Sequence, residues 1–339
     1  MARVRLDSSA PTRIDLAGGT LDIWPLYLFH ANAQTLNAAL SLRARCTVRT
    51  RQDRKVVVRS TDTGTTLTAG HWSELRDNAE LKLLGCILHY FEAEGIEVET
   101  RSESPVGAGI AGSSAMNIAV CGALARWRGL ALSDDALLQI AMNVEAQAID
   151  VPTGVQDYRP ALYGGISAVE LGVDGVKRVA LDVAPSELGR RIVVAYTGAS
   201  RNSGINNWEV TKRHIDGDRE VFTCFERIRD IAVSMRQALE AREWNEVGRL
   251  IGLEWDNRKR LAPGVTTPVI DDLFRRAQRA GALSGKVCGA GGGGCLICYS
   301  PPEHTDHVRQ ALSDAGARVL DCRIEREGLQ VRVEAEGAS

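Results

Sequence analysis

The stretch of the chain with the most chemical content is Pro105-Val-Gly-Ala-Gly-Ile-Ala-Gly-Ser-Ser-Ala115, a glycine-rich run that leads into a nearly continuous apolar segment. Gly107, Gly109 and Gly112 carry no side chain and permit positive φ, so the backbone N–H groups of the run, those of Ala108 and Ala111 included, can converge on phosphate oxygens. A helix beginning near Ser113 would add unpaired donors and partial positive charge, with the Ser113 and Ser114 hydroxyls at its start. A Walker-type loop is excluded, because neither Gly-Lys-Ser nor Gly-Lys-Thr occurs in the chain. Gly107 to Gly112 has the bare Gly-x-Gly-x-x-Gly spacing of a dinucleotide loop, which carries little weight alone. A tight turn ahead of a serine-capped core helix would use the same residues with no ligand.

Two other groupings have the residue types for metal chemistry but not the setting. Cys295 and Cys298 enclose Leu296 and Ile297 and have no second pair, which reads as strand core. His304 and His307 follow Pro301-Pro302-Glu303 at a helix start, where solvated polar residues are ordinary. The remaining cysteines show no framework spacing, and several lie in apolar runs where a reduced thiol serves as a small hydrophobe.

Three separated segments resemble, in order and spacing, the motifs of the GHMP kinases, the superfamily of galactokinase, homoserine kinase, mevalonate kinase and phosphomevalonate kinase. Ala10-Pro-Thr-Arg-Ile-Asp-Leu-Ala-Gly-Gly-Thr-Leu-Asp22 is similar to the first motif, Pro105 to Ala115 to the second, and Lys286-Val-Cys-Gly-Ala-Gly-Gly-Gly-Gly-Cys295 to the third. Val151-Pro-Thr-Gly-Val-Gln-Asp-Tyr158, followed by Tyr163-Gly-Gly165, resembles the segment that supplies the catalytic aspartate of the family. Tyr196-Thr-Gly-Ala-Ser-Arg-Asn-Ser203 and the four-glycine third motif are most similar to the D-glycero-D-manno-heptose 7-phosphate kinases and the fucokinase-type sugar kinases. The first motif departs from the usual Ala-Gly-Gly-Gly-Thr-Asp of heptose kinases. In the second, Ala111 stands for a usual glycine and Gly112 for a usual serine.

The resemblance implies a two-domain α+β fold, with residues 1–180 as the ATP-binding domain and 181–339 as a ferredoxin-like C-terminal domain. It implies ATP as donor, Mg²⁺ as cofactor and a small-molecule sugar or sugar phosphate as acceptor. Asp157 would accept or orient the acceptor proton, and Arg13 would stabilise that carboxylate and the transferring phosphoryl group. Glu145, with Ser113 or Ser114, would hold Mg²⁺ through hard oxygen ligands. Gly18, Gly19, Thr20, Asp22 and Gly165 would lie on the acceptor side, and Gly291 and Gly292 would let backbone approach nucleotide or acceptor. Arg201 could meet a phosphate already on the acceptor, which would favour a sugar phosphate over a free sugar. Rival expectations are a mevalonate-pathway kinase or decarboxylase, and a catalytically silent module that binds sugar or nucleotide.

The elements that must position these residues follow from pattern. Val4 to Leu6, Cys46 to Thr50 and Val56 to Arg59 read as short strands. Glu80 to Glu94, Ser113 to Arg128 and Asp134 to Ala148 read as helices, the second buried on all sides and the third opened by Ser133 and Asp134. A division near residues 175–190 precedes a strand at 192–196. Helices at 219–241, 244–256 and 268–280, a strand at 295–299, a helix at 303–315 and two terminal strands follow. With 339 residues, 44% of them hydrophobic, the chain can bury a large core, and a net charge of −2 leaves no polycationic footprint for nucleic acid or anionic lipid. The start lacks a secretory apolar core and no stretch has membrane-span length, so the expectation is a cytoplasmic protein, with a homodimer allowed.

Overall fold

The computed structural model describes residues 3–150, 153–199 and 203–336. The first half is built on an eight-stranded sheet. Strands β1 (Arg3–Ala17), β2 (Gln34–Thr50), β3 (Val56–Ser60) and β4 (Thr65–Ala69) lead to helix α1 (Lys82–Tyr90) and strand β5 (Ile96–Ser102). Helices α2 (Gly112–Trp127), α3 (Asp134–Ile149) and α4 (Tyr158–Tyr163) come next, then the hairpin β6 (Ile166–Gly172) and β7 (Gly175–Ala180). The order in the sheet is β12-β1-β2-β5-β3-β4, with β6 and β7 joined to the other part of β2. Strand β12 (Gln330–Glu336) is the last of the chain, so residues from the far end complete the first sheet against β1.

The N-terminal strands are longer than the sequence suggested. β1 and β2 span 15 and 17 residues. Residues 8–17 of β1 are buried on both faces, so the alternation that marks a half-exposed strand is missing there. Pro11 sits at a register shift between β1 and β2, where a missing N–H is tolerated.

The second half follows a short helix α5 (Pro185–Gly189) with strand β8 (Ile192–Tyr196), helices α6 (Ser203–Ile215), α7 (Arg219–Ala241), α8 (Trp244–Arg258) and α9 (Pro268–Arg279), then β9 (Ser284–Val287), β10 (Cys295–Tyr299), α10 (Thr305–Asp314) and β11 (Arg318–Val319). Its sheet has the order β11-β8-β10-β9 and is antiparallel throughout, which is the ferredoxin-like arrangement. The expected 180/181 division falls between β7 and α5. Helix α6 had no counterpart in the sequence reading; it follows a glycine- and serine-rich stretch.

Helix α2 runs through the core of the first half, with residues 114–125 buried. Gly122 lets the helix pack closely, since a Cβ there would lie 2.8 Å from Leu329 just before β12. Among the described residues all eight cysteines are free thiols, and Cys295 and Cys298 fill the buried strand β10, as expected of strand core.

Candidate active site

The loop between β5 and α2 wraps one end of a cavity of about 390 Å³. Gly107, Ala108, Gly109, Ala111, Gly112, Ser113 and Ser114 all line it. Gly107 and Gly109 have φ of +68° and +72°, and Ala111 enters the left-handed region at +57° as the residue that starts α2. No side chain caps this helix, so the N–H groups of its first turn are left for a ligand. The serine-capped alternative is therefore wrong here. Ser113 Oγ donates instead to Glu145 Oε1 at 2.8 Å, and Ser114 Oγ donates to Oε2 at 3.1 Å.

Glu145 projects from α3 into the cavity wall and is 6% exposed. Burial pushes its carboxyl up from the ordinary value, and the two serine hydroxyls only partly offset this. Among the described residues no Lys, Arg or His pairs with it, and the Ser113 and Ser114 hydroxyls face it. This donor set suits Mg²⁺, which takes one or two carboxylates and completes its shell with water and substrate phosphate. Among the described residues no cluster of three or more His, Cys, Asp or Glu side chains forms a dedicated metal cage. His304 and His307 face each other as stacked rings 6.4 Å apart, away from this cavity.

Arg13 of β1 and Asp157, at the start of α4, meet at the cavity although 144 positions separate them in sequence. Arg13 Nε and Nη2 donate to Asp157 Oδ1 at 3.0 and 2.6 Å, and Nη1 donates to the Gly109 carbonyl at 3.1 Å. The Arg13 backbone N–H also donates to the Ile110 carbonyl at 3.0 Å. One arginine thus ties the aspartate to the glycine loop. Burial works against the charge on Arg13, but the Asp157 and Asp15 carboxylates outweigh it and hold the guanidinium protonated.

The acceptor-side residues divide into two groups. Thr20 and Asp22 line the cavity. Asp22 is 2% exposed and accepts from Gln156 N and Nε2, both at 3.0 Å. Burial, with Asp157 nearby, raises its carboxyl to about 6. Gly18, Gly19 and Gly165 do not line the cavity; the small size of the first two serves packing within the protein, and Gly165 takes a φ of +71°. A Cβ on Gly18 would lie 2.1 Å from the Gln34 carbonyl, and one on Gly19 would lie 2.3 Å from Arg258 Nη1. Gly165 hydrogen bonds through its backbone to Ala39 and Glu325. Arg201 lies outside the described residues.

The third glycine run lies beneath the phosphate loop. Cys295 N donates to the Ala108 carbonyl at 2.6 Å, and a Cβ on Gly109 would meet the Cys288 carbonyl at 2.8 Å. Gly289 and Ala290 line the cavity, but the expected Gly291 and Gly292 do not. Gly291 packs on Val265, whose side chain and carbonyl would each lie 2.5 Å from an added Cβ, and Gly292 N donates to the same carbonyl. The close approach at Gly291 is to protein.

Sequence reasoning missed the charged group below the cavity. Asp15, Glu254, Arg258 and Lys286 are each 3% exposed or less. Lys286 Nζ lies 2.6 Å from Asp15 Oδ2 and 3.0 Å from Glu254 Oε1, while Arg258 Nη1 lies 3.0 Å from Asp15 Oδ2 and 3.3 Å from Glu254 Oε1. Desolvation raises the Asp15 carboxyl, yet Lys286, Arg258 and Arg13 together drive it well below the usual range. Lys286 opens the third motif and Asp15 stands two places after Arg13, so position in the motifs was an available signal. Glu254 and Arg258 offered none, since an i,i+4 acid-base pair reads as a solvated helix face.

Comparison with known proteins agrees with this geometry. The family described as GHMP kinases N terminal domain matches residues 80–165, and GHMP kinases C terminal matches residues 235–318. D-glycero-alpha-D-manno-heptose 7-phosphate kinase of Campylobacter jejuni is 27% identical over 335 residues, covering 95% of this chain and 97% of that protein. Mevalonate kinase of Thermococcus onnurineus is 30% identical over 249 residues, covering 70% of this chain and 69% of the relative. The crystal structure of a D-glycero-D-manno-heptose 1-phosphate kinase from Bacteroides thetaiotaomicron shares the fold, with a TM-score of 0.78 at 24% identity over 96% of this chain and 98% of that one. With both family domains in place around an arginine-held aspartate and an uncapped, glycine-lined helix start, the chain belongs to the GHMP kinases.

Proposed function

We propose that this kinase transfers the γ-phosphoryl group of ATP to a hydroxyl of a sugar or sugar phosphate, with Mg²⁺ held by Glu145 together with Ser113 and Ser114. The observation that carries the reading is the Arg13 fork, which places the Asp157 carboxylate at the mouth of the glycine loop. Phosphoryl transfer asks mainly for positioning and charge neutralisation, and each part has a residue here. The N–H groups of the loop and of the first turn of α2 receive the phosphates. Bound Mg²⁺ would neutralise phosphate charge beside Glu145.

Both Arg13 bonds fall on Asp157 Oδ1, and Oδ2 takes no hydrogen bond among the described residues. Oδ2 is therefore the atom that orients the acceptor hydroxyl and receives its proton. The hydroxyl oxygen forms the new bond to the γ-phosphorus as the bond to the β-phosphate oxygen breaks, and the released negative charge leaves on ADP. Arg13, close to both Asp157 and the loop carbonyl, stabilises charge on the transferring group.

Thr20, Asp22 and Gln156 at the other end of the cavity offer hydrogen-bond partners of the kind that sugar hydroxyls need. A carboxylate acceptor such as mevalonate would have to lie near Asp22 and Asp157, where like charges repel. The similarity to a heptose 7-phosphate kinase over nearly the whole of both chains supports a sugar phosphate as acceptor. ADP release measured with aldoses, sugar 1- and 7-phosphates, inositols and mevalonate, with and without Mg²⁺, tests the assignment. Turnover that requires Mg²⁺ and a sugar or sugar phosphate is the expected result. Turnover with mevalonate alone would replace it, and binding without turnover would point to a silent module.

A further inference from the structure

Thr20 is a non-glycine residue held at φ +75°, in the wall of the cavity. A β-branched residue does not take that conformation without an external hold. The hold comes from the other half of the chain. Arg258, near the end of α8, donates from Nη2 to Thr20 Oγ1 at 3.1 Å and to the Gly289 carbonyl. Its Nη1 is braced on Asp15 Oδ2 and Glu254 Oε1. Asp15 Oδ1 also accepts from Gly289 N at 3.4 Å. Gly19 has no room for a Cβ, which would lie 2.3 Å from Arg258 Nη1 and 2.7 Å from Asp15 Oδ2. Arg258 itself lines the cavity.

We propose that Arg258 is the positioning residue of the acceptor wall: braced on Asp15 and Glu254, it holds Thr20 and Gly289 in register, so that the loop of residues 18–22 and the glycine run after β9 meet the acceptor as one surface. An arginine is needed because one planar fork must serve carboxylates on one side and a hydroxyl and a carbonyl on the other. Lysine would keep the charge over Asp15 but lose the fork. The kinetic consequence rests on the kinase reading, whereas the positioning itself does not.

Two variants separate the effects. Arg258→Lys preserves the buried charge count, and Gly19→Ala crowds the guanidinium, at 2.3 Å from Nη1, and the Asp15 carboxylate that braces it, without removing any charged group. Hydrogen exchange followed by mass spectrometry should show exchange of residues 18–22 rising about tenfold or more in both, with residues 107–114 unchanged. With the best acceptor from the ADP-release panel, acceptor KM should rise about 10- to 100-fold while KM for ATP stays within about threefold. Unaltered exchange at residues 18–22, or a uniform rise along the whole chain, overturns the proposal whatever the kinetics. Equal increases in both KM values overturn it as well. If the unaltered enzyme releases no ADP with any acceptor, the kinase reading fails, and the exchange result alone then decides the role of Arg258.

Discussion

Asp15, near the end of β1, and Asp22, in the loop that follows it, are almost equally shielded, at 0% and 2% exposed, yet the protein drives their carboxyl groups in opposite directions. Asp15 is surrounded by Lys286, Arg258 and Arg13 and stays ionised. Asp22 accepts hydrogen bonds from the neutral Gln156, and burial together with the negative Asp157 outweighs the pull of Arg13, so its carboxyl rises to about 6. The same contrast separates Asp157, answered by Arg13, from Glu145, answered by two serine hydroxyls. The pair answered by cations is electrostatically complete without ligand. The pair answered only by neutral groups is not, and each of its members faces the cavity where a cation or a hydroxyl-rich acceptor would complete it.

The sharpest way to break this comparison is Asp157→Asn. Removing the proton acceptor while keeping the shape should cut turnover by about 10² to 10⁴, with little change in ATP affinity, as read by steady-state kinetics and nucleotide titration. Near-normal turnover would show that Asp157 is only a structural partner of Arg13. Asp15→Asn comes next. It leaves Arg258 and Lys286 over a single remaining buried anion, Glu254, while Arg13 keeps Asp157, and should cost about 3 to 5 kcal/mol in urea unfolding. A cost under about 1 kcal/mol would mean that the cluster contributes nothing to stability.

Glu145→Gln should behave differently, because no cation loses its partner. The free protein should melt at the same temperature or slightly higher. The extra stabilisation that Mg²⁺ adds to the ATP complex should disappear, with turnover down about 10- to 100-fold. Retention of Mg²⁺-dependent stabilisation would move the metal site elsewhere.

The smallest effect is expected for Asp22→Asn. Because the folded protein holds the Asp22 proton more tightly than the unfolded chain does, its contribution is favourable below about pH 4 and is lost as pH rises to about 6. At neutral pH the ionised form therefore costs up to roughly 3 kcal/mol. The variant should be more stable than the natural chain at pH 7.5 by about 1 to 2 kcal/mol, with the difference vanishing near pH 4. Its acceptor KM should rise. Equal stability differences at both pH values would show that Asp22 is not the titrating group.

Legibility in the sequence followed local pattern closely. The limits of α7, β8 and β10 are those read from periodicity, and Ser133 caps α3 through its hydroxyl as expected. The glycine loop and the residues Arg13, Glu145, Asp157, Thr20 and Asp22 fall around one cavity. What failed locally has a local reason: residues 8–17 lack alternation because both faces are covered, and α4 and β9, of six and four residues, are too short for a period to register.

The glycines of the motifs show a limit of pattern reading. Gly18, Gly19, Gly291 and Gly292 stand in ligand-binding motifs, and composition alone cannot distinguish room for a substrate from room for Gln34, Arg258 or Val265. Periodicity by itself determined much of the α+β element order, because it depends on neighbours a few positions apart, and the resemblance of three motifs to those of the GHMP kinases implied the kinase fold and its phosphate chemistry. Only the tertiary structure decided which carboxylates are neutralised from within and which are left for a ligand. That outcome depends on Arg258 and Lys286 arriving from more than 240 positions beyond Asp15, and desolvation with Coulomb interaction acts through space and not along the chain.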